Sequence, residues 1–228
     1  MNNLLIRASQ AHKLMTKPKT LKDQEAGILA QTTQTYLKEL WLENTFGYKE
    51  PVVSDEIMKG WLCEQDSMTL TQDILGGELR LKNTKLFKND FIKGTPDVIL
   101  KDVVEDVKSS WSIKTFFNSE LESNYWWQGQ CYMELTGIHK YRLIYCLNDT
   151  PEHLVTNERQ RYYYKFQCDE DNPMLKLIYS QIEHNHSYSK IPKEKRIKIF
   201  NFDYDPEAIK KLYSQIEKAR NFYNSLEL

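Results

Sequence analysis

Asp97, Asp106 and Lys108 sit in the run Gly94-Thr95-Pro96-Asp97-Val98-Ile99-Leu100-Lys101-Asp102-Val103-Val104-Glu105-Asp106-Val107-Lys108. If Val98–Leu100 and Val103–Val107 are strands joined by a two-residue turn at Lys101-Asp102, paired positions add to 203, and Asp97 faces Asp106. Cross-strand neighbours have Cβ atoms roughly 4.5–5.5 Å apart, so two ionised carboxylates there repel unless they share a cation. A divalent metal is the simplest choice. Side chains alternate along a strand, which puts Lys108 on the face of Asp106. Two acids and a lysine converging on one metal suit hydrolysis of a phosphodiester. An isolated Asp-x-Lys is usually a solvated strand, but Val98, Ile99, Leu100, Val103, Val104 and Val107 imply a sheet buried on both faces. Carboxylates in such a sheet must be paired or bind metal.

The elements around this hairpin follow from periodicity and caps. The pattern predicts a short helix over 9–15 capped by Ser9, a long helix over 21–45 stopped at Phe46-Gly47, and another from Ser54 or Asp55 to Leu75 closed by Gly76-Gly77. Glu78–Lys88, with Leu79, Leu81 and Leu86 alternating with basic residues, reads as a half-exposed strand beside the hairpin. Asn124–Thr136 reads as a helix stopped by Gly137, and Tyr141–Leu147 as a buried strand. Beyond Asp149 the chain is mainly helical: 151–166, 174–183 and a final amphipathic helix over 206–226, with a strand over 197–202. The whole is an α/β fold, a mixed sheet flanked by helices, read as one domain over 1–228 with its core at about 7–148 and an elaboration at about 149–228.

Composition narrows the class. With 40% hydrophobic and 28% charged residues the chain is of ordinary globular composition. No apolar run approaches the roughly 18 residues that span a membrane, and the opening Met1–Arg7 lacks the apolar core of a signal peptide, so a cytoplasmic protein is expected. A formal net charge of −1 argues against coating nucleic acid by bulk electrostatics, while local lysine clusters (13–22, 82–93 and 190–198) permit a DNA track. Cys63, Cys131, Cys146 and Cys168 form no C-x-x-C pair and are expected to be reduced, mostly buried thiols. His184 and His186 read as surface residues.

Two further segments bring polar groups toward the hairpin. Gly60-Trp61-Leu62-Cys63-Glu64 sets an acid one turn after a glycine that would let its helix approach the sheet, making Glu64 a candidate third acid. Gln128 and Tyr132, four apart on a helix, share a face. Taken in order, Gly60-x-x-x-Glu64, Gly94-x-Pro96-Asp97, Asp106-x-Lys108 and Gln128-x-x-x-Tyr132 resemble the PD-(D/E)XK nuclease superfamily. The closest resemblance is to its YqaJ-like phage recombination exonucleases, related to that of bacteriophage lambda, and it spans about Arg7 to Asn148. It implies a restriction-endonuclease-like core with a mainly helical C-terminal extension.

The resemblance also implies roles. Asp97, Asp106 and the Val107 carbonyl match the metal ligands, with Glu64 completing the cluster directly or through water, and Lys108 matches the residue that orients or deprotonates the attacking water. Gln128 and Tyr132 complete the catalytic set. Magnesium is implied, one or two ions per site, with manganese able to substitute. Ser9 at a helix start, Thr95 and Lys114 match positions that grip a DNA 5′-phosphate; lysine stands at 114 where the family places arginine, and the family's upstream arginine has no counterpart unless Arg7 serves. The implied activity is 5′ to 3′ resection of linear double-stranded DNA, with a single-strand annealing protein as partner and a trimeric ring as assembly. Two rival readings are an endonuclease of the same superfamily and a catalytically silent DNA-binding module.

Overall fold

The computed structural model describes residues 4–167 and 169–228, so the expectation for Cys168 and the first three residues of the leader reading lie outside the described residues. In chain order the elements are β1 (Ile6–Arg7), α1 (Ala11–Leu14), α2 (Leu21–Glu25), α3 (Gln31–Phe46), α4 (Asp55–Leu62), α5 (Glu64–Leu75), β2 (Phe87–Lys88), β3 (Ile92–Gly94), β4 (Val98–Ile99), β5 (Val104–Ser109) and α6 (Ile113–Phe117). They continue with α7 (Ser123–Thr136), β6 (Lys140–Cys146), α8 (Glu152–Phe166), α9 (Pro173–Asn185), β7 (Ile197–Asp203) and α10 (Pro206–Asn224).

Two sheets carry the fold. One has the order β1-β3-β2 and the other β4-β5-β6-β7, in which β5 and β6 are parallel and both outer pairs antiparallel. Both faces of the central pair are covered, as the apolar runs require. Val104, Tyr141, Leu143 and Tyr145 face a core shared with residues of α1, α3, α7 and α10, while Val107, Ile144 and Cys146 face Met68 and Leu70 of α5. The glycine at 129 lets α7 lie on the first face. A Cβ there would fall 2.5 Å from Phe202 Cζ and 2.9 Å from Tyr141 Cδ1.

The last segments enter the same layers. β7 pairs with the full length of β6, and Ile209, Leu212, Ile216 and Ala219 of α10 are buried in the main core. Asp205 caps α10 by accepting from the Glu207 and Ala208 amides. Among the described residues no helix is long and apolar enough to cross a membrane.

Several expected elements differ, each for a local reason. The helix expected over 21–45 is two, because Gly27 adopts φ +69° and breaks the chain between α2 and α3. The helix expected from 55 to 75 turns at Cys63 into α4 and α5. Ser9 is not a helix cap; it lies inside a three-residue 3-10 turn (Ala8–Gln10) that leads into α1. The strand expected over 78–88 shrinks to Phe87–Lys88, which pairs with β3 and not with the hairpin. Its burial is also inverted: Leu79 and Leu81 are 65% and 68% exposed while Arg80 is 7% exposed. Glu105 explains this. It points to the α5 side of β5, fully buried, and a carboxylate there must be paired. Arg80 turns inward to donate through Nε (2.7 Å) and Nη2 (3.1 Å), and Arg142 Nη1 adds a 2.5 Å bond.

Cys63, Cys131 and Cys146 are buried and free. His186 is buried, contrary to the surface reading, because its ring bridges Thr150 Oγ1 (2.8 Å) and Glu158 Oε2 (2.7 Å).

Candidate active site

The β4–β5 hairpin has the register its sequence implies. Val98 pairs with Glu105 and Ile99 with Val104, and the Leu100 amide donates to the Val103 carbonyl (3.0 Å) across the turn. Asp97 lies one step beyond the last paired residue of β4, opposite Asp106. Its Oδ2 accepts from the Val107 amide at 3.0 Å. A strand residue's N–H and C=O emerge on the same edge, so the Val107 carbonyl also faces the gap that Asp97 borders. Asn83 pins this end of β4, donating from its amide to the Asp97 carbonyl (2.8 Å) and from Nδ2 to the Pro96 carbonyl (2.9 Å).

Asp106 is fully buried on the α7 side of β5. Lys108 Nζ stands 2.6 Å from its Oδ2, and Gln128 Nε2 donates to its Oδ1 at 3.3 Å and to the Tyr132 hydroxyl at 3.0 Å. Tyr132 is held against β3, where a Cβ on Gly94 would come within 2.5 Å of its ring. Tyr125 lies under the ammonium of Lys108, 5.5 Å from nitrogen to ring centroid. The structure therefore brings Asp97, Asp106, Val107, Lys108, Gln128 and Tyr132 together.

Burial, and then the neighbouring Asp106 carboxylate, push Asp97 up to about 7. Burial opposes the charge on Lys108, but Asp106 and Asp97 outweigh it and raise the ammonium's pKa above its ordinary value. One cation faces two acids, and Asp106 Oδ2 is buried against the Lys108 ammonium. Two hard carboxylates and a strand carbonyl at one gap form a donor set that suits a small divalent cation.

The raised acid makes a testable demand on the free protein. A carboxyl whose folded pKa exceeds its unfolded one contributes stability at low pH that is lost as pH rises through the folded value. Without metal, the wild-type Tm should thus fall relative to Asp97→Asn between about pH 4 and about 7. Thermal melts in chelator across that range check it; parallel pH profiles would show that Asp97 carries no such burden.

Glu64 and the glycine before it are placed differently from expectation. Glu64 opens α5 on the wall of the same cleft, but its carboxylate is paired with Lys82. Among the described residues no three His, Cys, Asp or Glu side chains form a group able to hold a metal. Gly60 does not bring its helix onto the sheet: a Cβ there would meet nothing within 4 Å.

The cleft encloses about 1180 Å³ and is lined on the hairpin side by Asp97, Val107 and Lys108. Ser9, Thr95 and Lys114 line it as well, all three exposed. Arg7 is engaged with Glu43 instead. Ser9 lies inside a short 3-10 turn, a weaker dipole for an anion than a full helix. Of the lysine clusters, Lys82 reaches the cleft, whereas Lys193 pairs with Asp73 and Lys198 bonds the carbonyls of Phe117 and Ser119. Sequence reasoning missed Asn83, Trp111 and Tyr125. A polar Asn interrupting an alternating segment was the one available signal for the first.

No family model matches the sequence, and no curated protein does. Solved structures do. The chain is similar to a phage related exonuclease from Haemophilus somnus 129PT, with 24% identity and TM-score 0.77 over 97% of this chain and 94% of that one. It is also similar to LHK-Exo, an alkaline exonuclease from Laribacter hongkongensis, with 14% identity and TM-score 0.64 over 97% and 88%. The complex of LHK-Exo with dAMP gives 15% identity and TM-score 0.63 over the same shares of 97% and 88%. The chain thus has the fold of these exonucleases, a mixed α/β core flanked by helices. That is the kind of fold which the resemblance of its four motifs implied.

Proposed function

We propose that this chain is a metal-dependent deoxyribonuclease that degrades linear double-stranded DNA from its 5′ ends, in phage-type recombination or DNA processing. The observation that carries this reading is the hairpin itself, with Asp97 and Lys108 lining an open cleft and Asp106 buried behind them in contact with Lys108, in a chain with an exonuclease fold. Asp97, Asp106 and the Val107 carbonyl would hold magnesium, or manganese in its place, with Glu64 joining on release from Lys82. Bound there, the ion would neutralise phosphate charge and make a ligated water more acidic.

The chain's own groups do the remainder. The Lys108 ammonium steadies the attacking water and the charge that grows on the phosphate. Gln128, anchored on Tyr132, fixes the rotamer of Asp106. Ser9, Thr95 and Lys114 take the terminal 5′-phosphate, which sets direction. Partners on this reading are duplex DNA, a single-strand annealing protein and two further copies in a trimeric ring; light scattering at micromolar concentration tests the ring.

The deciding experiment is digestion of linear duplexes labelled at the 5′ or the 3′ end, beside closed-circular DNA, with and without magnesium. Loss of the 5′ label first, on linear DNA and with magnesium, is expected. Cleavage of closed circles would make the chain an endonuclease of the same superfamily, and binding without cleavage a silent module.

A further inference from the structure

Gly60 lies in α4, where a glycine is less favourable than alanine unless something needs the space. Nothing in the protein does. Its backbone dihedrals are not in the left-handed region, and among the described residues no atom beyond its chain neighbours and its own helix backbone lies within 4 Å of where a Cβ would be. Gly129 in α7 is the opposite case, its missing Cβ filled by two aromatic rings. The space in front of Gly60 belongs to the cleft that contains Asp97 and Lys108.

The surroundings of that space define what it takes. Ile57, Trp61 and Trp111 line it with apolar surface, and Trp61 is 66% exposed. Glu56 lies on the same wall, so a phosphate would be repelled there. The width of the groove is fixed from behind. Fully buried Lys59, next to Gly60, donates to the Trp111 carbonyl at 2.9 Å and lies over the Trp111 and Tyr188 rings at 5.9 and 5.3 Å. The two walls are therefore tied together through Lys59.

We infer that Gly60 is the floor of a nucleoside subsite, where the deoxyribose and base of a substrate strand pass in contact with the bare backbone of α4, between Trp61 and Trp111. The inference rests on the nuclease reading. An uncharged, flat group is what apolar walls beside a carboxylate accept, and a base offers a face to indole. Its phosphates lie toward Lys108 and Lys114, away from Glu56. Gly60 is a specificity-determining position: it touches substrate and takes no part in the chemistry.

The test is Gly60→Ala and Gly60→Leu, with Tm of the free protein and steady-state digestion of a linear duplex. Removing an unneeded helical glycine should raise Tm by about 2–4 °C. The same change should raise KM roughly tenfold, more for leucine, with kcat little altered, because overlap weakens binding and not bond cleavage. Trp61→Ala should leave Tm unchanged and raise KM as well. A lower Tm for Gly60→Ala would mean that the glycine serves the turn at Cys63, and an unchanged KM would mean that nothing passes over it; either overturns the subsite. Wild-type protein that digests no DNA would instead remove the nuclease reading on which the subsite depends.

Discussion

Asp106→Ala should abolish cleavage of linear duplex while leaving a folded protein. Asp106 is the innermost group of the hairpin, fully buried, and the one that links the two sides of the site: Lys108 at 2.6 Å and Gln128 at 3.3 Å. Without it Asp97 alone faces the gap, and one carboxylate with a carbonyl is a poor divalent site. Lys108→Met should be less complete, with a loss on the order of 10²–10³-fold, the scale for removing one preorganised electrostatic group. The fold survives either change for a stated reason. Gln128 keeps its bond to Tyr132, and the hairpin register depends on Val98, Ile99 and Val104, not on the acids. Circular dichroism with a nuclease assay in magnesium and in manganese checks both; near-normal activity in Asp106→Ala would remove the site assignment.

That hairpin was legible because everything that sets it is local. An apolar run interrupted by a two-residue turn fixes the register, and the register fixes which carboxylates meet. The helix stops at Gly47 and Gly137 were legible for the same reason, each glycine adopting the left-handed conformation that its position announces. Where sequence reasoning failed, distant residues decided. Arg80 turns inward because Glu105, 25 positions away, is buried, so an alternating segment became irregular with its leucines outward. His186 is buried by Thr150 and Glu158. β1 and β3, two and three residues long, have no periodicity to read and exist through pairing, with each other and, for β3, with β2 as well. Gly60 is the informative error. It was expected to pack against the sheet, and its open position instead turns the question from folding to substrate.

The end-binding set carries the second large effect. Duplexes with a 5′-phosphate should be degraded about 10- to 100-fold faster than those with a 5′-hydroxyl, the range for one charge-assisted hydrogen bond in a partly desolvated cleft. Lys114 supplies the charge. It is exposed on α6 and lines the same cleft as Thr95 and Ser9, and on the proposed reading these three take one phosphate while the scissile bond lies over the hairpin acids. The helix start expected from the sequence is a 3-10 turn of three residues with Ser9 inside it, a weaker dipole than a full helix, and more of the preference therefore falls on the lysine. Lys114→Ala should erase most of it while leaving the rate on 5′-hydroxyl ends unchanged, because Lys114 lies on α6, outside the hairpin that carries the acids. Lys114→Arg should keep or improve it, a guanidinium binding phosphate through two parallel bonds. Single-turnover digestion of matched phosphorylated and unphosphorylated duplexes measures all three proteins on one scale. Equal wild-type rates on the two ends would refute the anchor, and with it the basis for 5′ to 3′ direction, leaving an endonuclease as the better reading of the same hairpin.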